Sequence, residues 1–384
     1  MIFKEKKTIL RDAATSPASR TALIALSVLF AVSIHAQNKS SEATTTIERA
    51  SVAAQAEREA SPYKTREGRI AAKPLDWNST IGKKAATAKP AKPAAEGSKQ
   101  ERGAEKGGDP APGARQEAQR LYPDEWRRSA APDRAGIAGS DDNVRFIRTA
   151  GSPDVFTQYQ EGPPAMDVAA RQEKIGKLFL SGGFCSASVV SPNGVIVTAA
   201  HCCYDRSAKK WIGGWTFSPA YNNGNTPFGN FDWSSATVLN SWINNGDIPS
   251  DVCLIKLSND AAGHNVSYYV GWLGRSWDWP SDQELHSAGY PGNIGGGNTL
   301  QVCTAESFSP SSSCGGGNVL NMGCSMTFGS SGGPWIRHYR TNDWVNGVVH
   351  GYDSASCTGT FGQTFNGPRF TSANIVTLCT AAGC

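Results

Sequence analysis

The chain has 384 residues with 37 Lys and Arg, 33 Asp and Glu and 10 Cys, a formal charge of +4, and at roughly 150 residues per domain it has room for two. All ten cysteines lie between Cys185 and Cys384, and from Lys174 onward there are 10 basic against 11 acidic residues. The half that carries the cysteines therefore has no positive excess, which argues against nucleic acid as a partner.

In chain order, Lys4, Lys6, Lys7, Arg11 and Arg20 precede an apolar run from Thr21 to Ile34 that closes with Ser33-Ile34-His35-Ala36. This arrangement predicts a signal peptide over residues 1–36. The run is shorter than the roughly 18 to 20 residues that span a bilayer, so a secreted protein, extracellular or periplasmic, with no stable membrane association is expected. Export favours disulfides among an even number of cysteines. No metal is expected: no CxxC pair exists, and His201 alone among the histidines stands beside a cysteine.

Residues 37–135 mix charges with Ala, Gly and Pro, as in KPAKPAAEGSK and ERGAEKGGDPAPGAR. Such sequence buries too little apolar surface to offset its chain entropy, so a largely disordered propeptide or linker is predicted, with short helices around 47–60 and 116–126. Residues 136–173 are a transitional segment. From 174 to 384 the texture becomes short β-type runs, among them KLFL, CSASVV, GVIVTAA, DVCLIKL and WVNGVVH, separated by Gly, Asn, Ser and Pro. That spacing predicts one all-β domain, a sandwich or barrel, with a tight turn at Ser191-Pro192-Asn193-Gly194.

Three segments in the β region carry the chemistry: Thr198-Ala199-Ala200-His201-Cys202, Asp251-Val252-Cys253 with its following strand, and Gly329-Ser330-Ser331-Gly332-Gly333-Pro334. Alone, each has an ordinary structural reading as a strand-end histidine, a capping aspartate or a glycine-rich loop. Together, in the order His, Asp, Ser on an exported all-β chain, they are far more specific. A serine hydroxyl needs an imidazole to take its proton, and that imidazole needs a carboxylate to hold its tautomer. Glycines beside Ser331 allow the sharp turn that aims main-chain N–H groups at a developing oxyanion.

These segments resemble the chymotrypsin-like serine peptidases over about 200 residues, from Ile175 to near Ile375. The resemblance implies two six-stranded antiparallel β-barrels with the active site between them, acting without a cofactor, as a monomer, on a protein or peptide substrate. It assigns His201 as general base, Asp251 as orienting carboxylate, Ser331 as nucleophile, and the N–H groups of Gly329 and Ser331 as the oxyanion hole. It also implies a disulfide from Cys185 to the cysteine after the histidine, Cys202 or its neighbour Cys203. GYPG at 289–292, VVHG at 348–351 and FNGPRF at 365–370 are similar to the glutamyl endopeptidases, and HGYDSASCTGT at 350–360 also resembles the lysyl endopeptidases.

Departures bear on activation and specificity. Ser330 stands where digestive members carry an aspartate that pairs with a freshly cut N-terminus, so their activating salt bridge cannot form. Ser325 and Thr364 stand where relatives specific for basic residues carry an acid, and Met326 replaces a pocket threonine of the glutamyl type. Ser325, Thr327, His350 and Gly351 are the expected substrate-binding residues, with cleavage after Glu or Asp favoured because His350 and the hydroxyls can donate to a carboxylate. Asp353 and Asp278 read as loop acids, and the tryptophans between His201 and Ser331 as packing. A protease-shaped adhesin is the alternative, disfavoured because all three catalytic types are present. An esterase would use the same residues and would fail to cleave denatured casein.

Overall fold

Six short strands rich in β-branched and aromatic residues succeed one another between Ile175 and Leu257, and the fold follows from how they pair. The computed structural model describes residues 38–40, 43–49, 61–76, 78, 102–130, 145–148, 155–160, 172–310, 316–353 and 364–384. The expected signal peptide lies outside them. The six strands are β1 (Ile175–Leu180), β2 (Gly183–Val189), β3 (Val195–Thr198), β4 (Thr216–Pro219), β5 (Phe231–Leu239) and β6 (Cys253–Leu257). They are antiparallel in the order β5-β4-β1-β2-β3-β6, and β5 pairs with β6 to close a barrel. The β2–β3 turn is held by Gly194 N–H donating to the Ser191 carbonyl at 3.3 Å.

Alternation along these strands divides their side chains between two cores. Leu178, Leu180, Ala187, Ile196, Phe217, Phe231 and Ile255 fill the barrel. Ile175, Phe179, Val195, Val197 and Leu254 face outward, into a second cluster shared with Tyr290, Val302, Ile336 and Val345. That shared cluster packs the two halves of the peptidase region together.

The second half contains β7 (Gly274–Trp277), β8 (Glu284–Gly289), β9 (Gln301–Glu306), β10 (Val319–Gly323), β11 (Pro334–Arg337), β12 (Trp344–Val348), β13 (Gly351–Asp353) and β14 (Thr364–Pro368). One sheet runs β7-β12-β11-β8-β9, and a three-stranded sheet runs β10-β14-β13. Bridges at Phe308–Asn321 and Gly347–Arg369 and the Cys303–Cys324 disulfide join the two sheets. The architecture is thus all-β and chymotrypsin-like, with the first barrel closed through six strands and the second half built from two stitched sheets.

The described parts of the N-terminal region are folded against these strands. Thr44–Glu48 adds to the edge of β5, Gly103–Glu105 to β7, and Val155–Gln160 with Arg145–Arg148 to β9. Helices Ala114–Leu121 and Pro123–Ala130 occupy the neighbourhood of the helix expected at 116–126, burying Ala114, Ala118 and Trp126. Of the helix expected around 47–60, the first two residues are instead the end of the strand Thr44–Glu48, and the stretch from 50 to 60 lies outside the described residues. Three threonines and an isoleucine favour extended backbone, and β5 offers an edge that satisfies it. Among the described residues no helix is long and apolar enough to cross a membrane.

Candidate active site

The local chain path brings His201 and Asp251 together. β3 ends at Thr198 and turns through a single 3-10 turn, Ala200–Cys202, that carries His201. A second short turn, Ile248–Ser250, ends at Asp251 just before β6, which pairs with β3 through Cys253 and Thr198. Adjacent cysteines staple this junction from both sides: Cys185 of β2 bonds Cys202, and Cys203 bonds Cys253. The second of these bridges was not visible in the sequence; the cysteine two residues after Asp251 was its only signal.

Asp251 is fully buried and uses both oxygens. One accepts the main-chain N–H of His201 at 2.8 Å, and the other meets His201 Nδ1 at 2.7 Å and His350 Nδ1 at 2.5 Å. Burial alone would push this carboxyl up, but the two imidazoles and their hydrogen bonds outweigh it and hold it well below the usual carboxylate range. The two imidazole rings meet edge to face at 5.6 Å, and the buried Trp242 ring lies 6.5 Å from His201 and 6.3 Å from His350. His201 Nε2 is buried without a hydrogen-bond partner among the described residues, so its lone pair is available to a proton donor.

Ser331 lies on the loop before β11, beside the histidine turn. Its carbonyl accepts the Ser186 N–H at 2.8 Å and lies 3.9 Å from Cys202 Sγ. Gly332, at φ +77°, packs so closely that a Cβ there would come within 2.0 Å of Thr198 Oγ1. A side chain at 332 would push the loop off the strand that leads to His201.

The N–H groups expected to form the oxyanion hole are oriented by their peptides. Phe328 carbonyl accepts the Gly292 N–H at 2.7 Å, and Ser330 carbonyl accepts the Gly333 N–H at 2.8 Å. In a trans peptide the N–H points opposite to the C=O, so the N–H groups of Gly329 and Ser331 turn away from those partners, and neither donates a main-chain hydrogen bond among the described residues. Ser186 and Asn293, which sequence reasoning missed, hold the loop. Ser186 Oγ donates to the Gly329 carbonyl at 2.8 Å while accepting the Tyr290 N–H at 2.9 Å. Asn293 donates to the Ser325 carbonyl at 2.9 Å and accepts the Thr327 N–H at 3.1 Å. Ser330 Oγ, in place of an ion-pairing acid, donates to the Thr327 carbonyl at 2.5 Å.

Of the expected substrate-binding residues, Ser325 and Thr327 are half-buried on this loop, His350 turns Nδ1 to Asp251, and Gly351 begins β13. Met326 is buried in the core of the second half with Cys324 and Phe365. The tryptophans 215, 233 and 242 are buried, in keeping with packing roles. The side chain of Asp353 is outside the described residues.

A buried carboxylate–imidazole pair beside a glycine-turned serine, with two main-chain N–H groups that meet no main-chain acceptor among the described residues, fits a serine hydrolase on a chymotrypsin-like scaffold. The Trypsin family model matches residues 166–366. The chain belongs to that family and is a serine endopeptidase, acting on protein or peptide substrates. Among solved structures it is similar to the protease Anisep from Arthrobacter nicotinovorans, at 27% identity over 55% of this chain and 96% of that one, TM-score 0.48. It is also similar to a thermostable serine protease, AL20, from an extremophilic microorganism, at 26% identity over 55% and 97%, TM-score 0.49. A Glu endopeptidase aligns at 20% identity over 59% and 97%, TM-score 0.48. No curated protein matches the chain.

Proposed function

We propose that the chain is exported and hydrolyses peptide bonds through His201, Asp251 and Ser331. The observation that carries the reading is the double engagement of Asp251, one oxygen on the His201 main chain and the other on its ring. Holding Nδ1 protonated leaves Nε2 as the base. It takes the Ser331 proton as Oγ attacks the substrate carbonyl, and the imidazolium that results is stabilised by the ionised carboxylate. The oxyanion is met by the Gly329 and Ser331 N–H groups. His201 then protonates the leaving amine, and water attacking the acyl-enzyme repeats the sequence.

Residues 1–36 act as the signal peptide, 37–135 as a propeptide, 136–173 as a connecting segment and 174–384 as the catalytic domain. The four disulfides among the described residues fit an oxidising compartment. Cleavage is after Glu or Asp: the hydroxyls of Ser325 and Thr327 precede the nucleophile, His350 supplies an imidazole, and neither Ser325 nor Thr364 is an acid that would draw a basic side chain. Ser331→Ala tests the mechanism, with an expected loss of about 10⁴-fold or more in kcat. Retention of a few per cent of activity in pure protein overturns it. A peptide-library profile tests specificity, and dominant cleavage after Lys, Arg or large apolar residues overturns the acidic preference.

A further inference from the structure

A stretch of the N-terminal region, Ser61–Asp76, is anchored on the outside of the first barrel. The Tyr63 ring stacks on Phe179 at 4.7 Å, and its hydroxyl donates to the carbonyls of Leu180 at 3.2 Å and Gly183 at 3.3 Å. Arg69, only 3% exposed, donates to the Gly224 carbonyl at 2.8 Å and pairs with Glu125 at 3.2 Å. The Tyr221 hydroxyl donates to the Arg69 carbonyl at 3.2 Å. These anchors deliver Lys73–Leu75 to the start of β2. There the Phe184 N–H donates to the Lys73 carbonyl and the Leu75 N–H to the Phe184 carbonyl, both at 3.0 Å.

The contact is at the rim of the catalytic loop. A Cβ on Gly292 would lie 2.7 Å from Pro74 Cγ and 3.2 Å from the Phe328 carbonyl oxygen. A Cβ on Gly329 would lie 2.5 Å from Phe184 Cε2. Two residues along β2 from Phe184, the Ser186 N–H holds the Ser331 carbonyl. Two residues of strand span about 6.6 Å, which is also the distance from a scissile bond to the second residue of its leaving-group side in an extended peptide. Peptides laid against a strand edge draw affinity from main-chain hydrogen bonds, and both such groups of Phe184 are taken.

We propose that Lys73–Leu75 fill the backbone edge needed by the leaving-group half of a peptide substrate. Residues 61–76 are then a tethered strap that hinders long substrates and leaves small ones unaffected. This rests on Ser331 as the nucleophile. It also means that cutting the chain between the strap and the catalytic domain does not by itself free the cleft, since the strap is held by contacts to the barrel rather than by chain continuity.

The test compares, in the full chain, an N-acylated single-residue p-nitrophenyl ester with a peptide extending four residues past the cleaved bond. Tyr63→Ala removes an anchor and Leu75→Pro removes the N–H that bonds Phe184. Each is expected to raise kcat/KM for the peptide tenfold or more and to leave the ester within twofold. Unchanged peptide hydrolysis in folded variants overturns the strap. Leu75 is buried, so ester hydrolysis serves as the folding control for its variant. A second measurement needs neither substitution: amide exchange at Leu75 in the full-length Ser331→Ala chain. A saturating peptide that extends past the cleaved bond should speed exchange at least tenfold, while one that ends at the cleaved residue should not. Equal exchange with both peptides overturns the proposal. A wild-type chain with no ester hydrolysis refutes the nucleophile instead, and the exchange result still judges the strap.

Discussion

At Asp251, burial opposes ionisation and two imidazoles favour it, and the imidazoles win. Because the folded carboxyl titrates below its unfolded value, near 3.9, it adds stability that is complete above about pH 5 and is lost as pH falls toward the folded value. Asp251→Asn should therefore give a shallower fall in the urea midpoint between about pH 5 and pH 3, together with a kcat lowered on the order of 10⁴-fold. At Ser186 the consequence is catalytic: removing its hydroxyl frees the Gly329 carbonyl, and the Gly329–Ser330 peptide, which links the two peptides carrying the Gly329 and Ser331 N–H groups, loses that anchor, so the spacing of those N–H groups loosens. Ser186→Ala is expected to lower kcat for a small ester by about 10- to 100-fold with KM within twofold, as steady-state kinetics would show. An equal rise in KM would place Ser186 in substrate binding instead. His201, Asp251 and Ser331 stand out in the sequence as the proposed triad because a strand-ending His, a strand-heading Asp and a glycine-flanked Ser follow one another in that order. Ser186 does not, since a serine inside an apolar strand has no local signature.

Among the elements, the histidine turn depends most on cross-links. It has three residues, too few to hold its own geometry, and two adjacent disulfides tie its C-terminal end to β2 and to β6. In a chain-entropy account, closing the 17-residue loop of Cys185–Cys202 contributes about 3 kcal/mol and the 50-residue loop of Cys203–Cys253 about 4 kcal/mol. Paired Ser replacements should thus lower the denaturation midpoint more for the second bridge, and calorimetry or guanidinium titration would check the order. The Thr44–Glu48 strand illustrates the limit of local pattern. Its threonines favour extended backbone but carry no mark of the partner, since the β5 edge that captures it lies some 190 residues away.

At the scale of the whole molecule, the cluster between the two halves contains a charge with no carboxylate partner among the described residues. Lys177 is fully buried on β1, its Nζ 3.8 Å from the Phe184 ring centroid and 4.6 Å from that of Tyr221, with Asn298 Oδ1 at 3.5 Å. Burial lowers its pKa to about 7. The folded value lies below the unfolded one, so the penalty is full below pH 7 and vanishes as pH rises through about 10.5. That penalty is at most roughly 5 kcal/mol, and the rings return about 2 kcal/mol of it. Lys177→Met should raise Tm by several degrees at pH 6 and by little at pH 10, which paired thermal scans would measure.

The sequence by itself determined the all-β class and the family resemblance, and it marked His201, Asp251 and Ser331 as the candidate triad, because strand patterning and the main-chain demands of a nucleophile loop are local. Tertiary structure decided what distance in sequence conceals. Asp251 engages His350 across 99 residues, Ser186 reaches the Gly329 carbonyl across 143, and Tyr63 docks on the barrel more than 100 residues ahead of it. Each of these contacts exists only once β2, β6 and the catalytic loop have packed, since a hydrogen bond between side chain and backbone specifies a partner in space and leaves no periodicity in the chain.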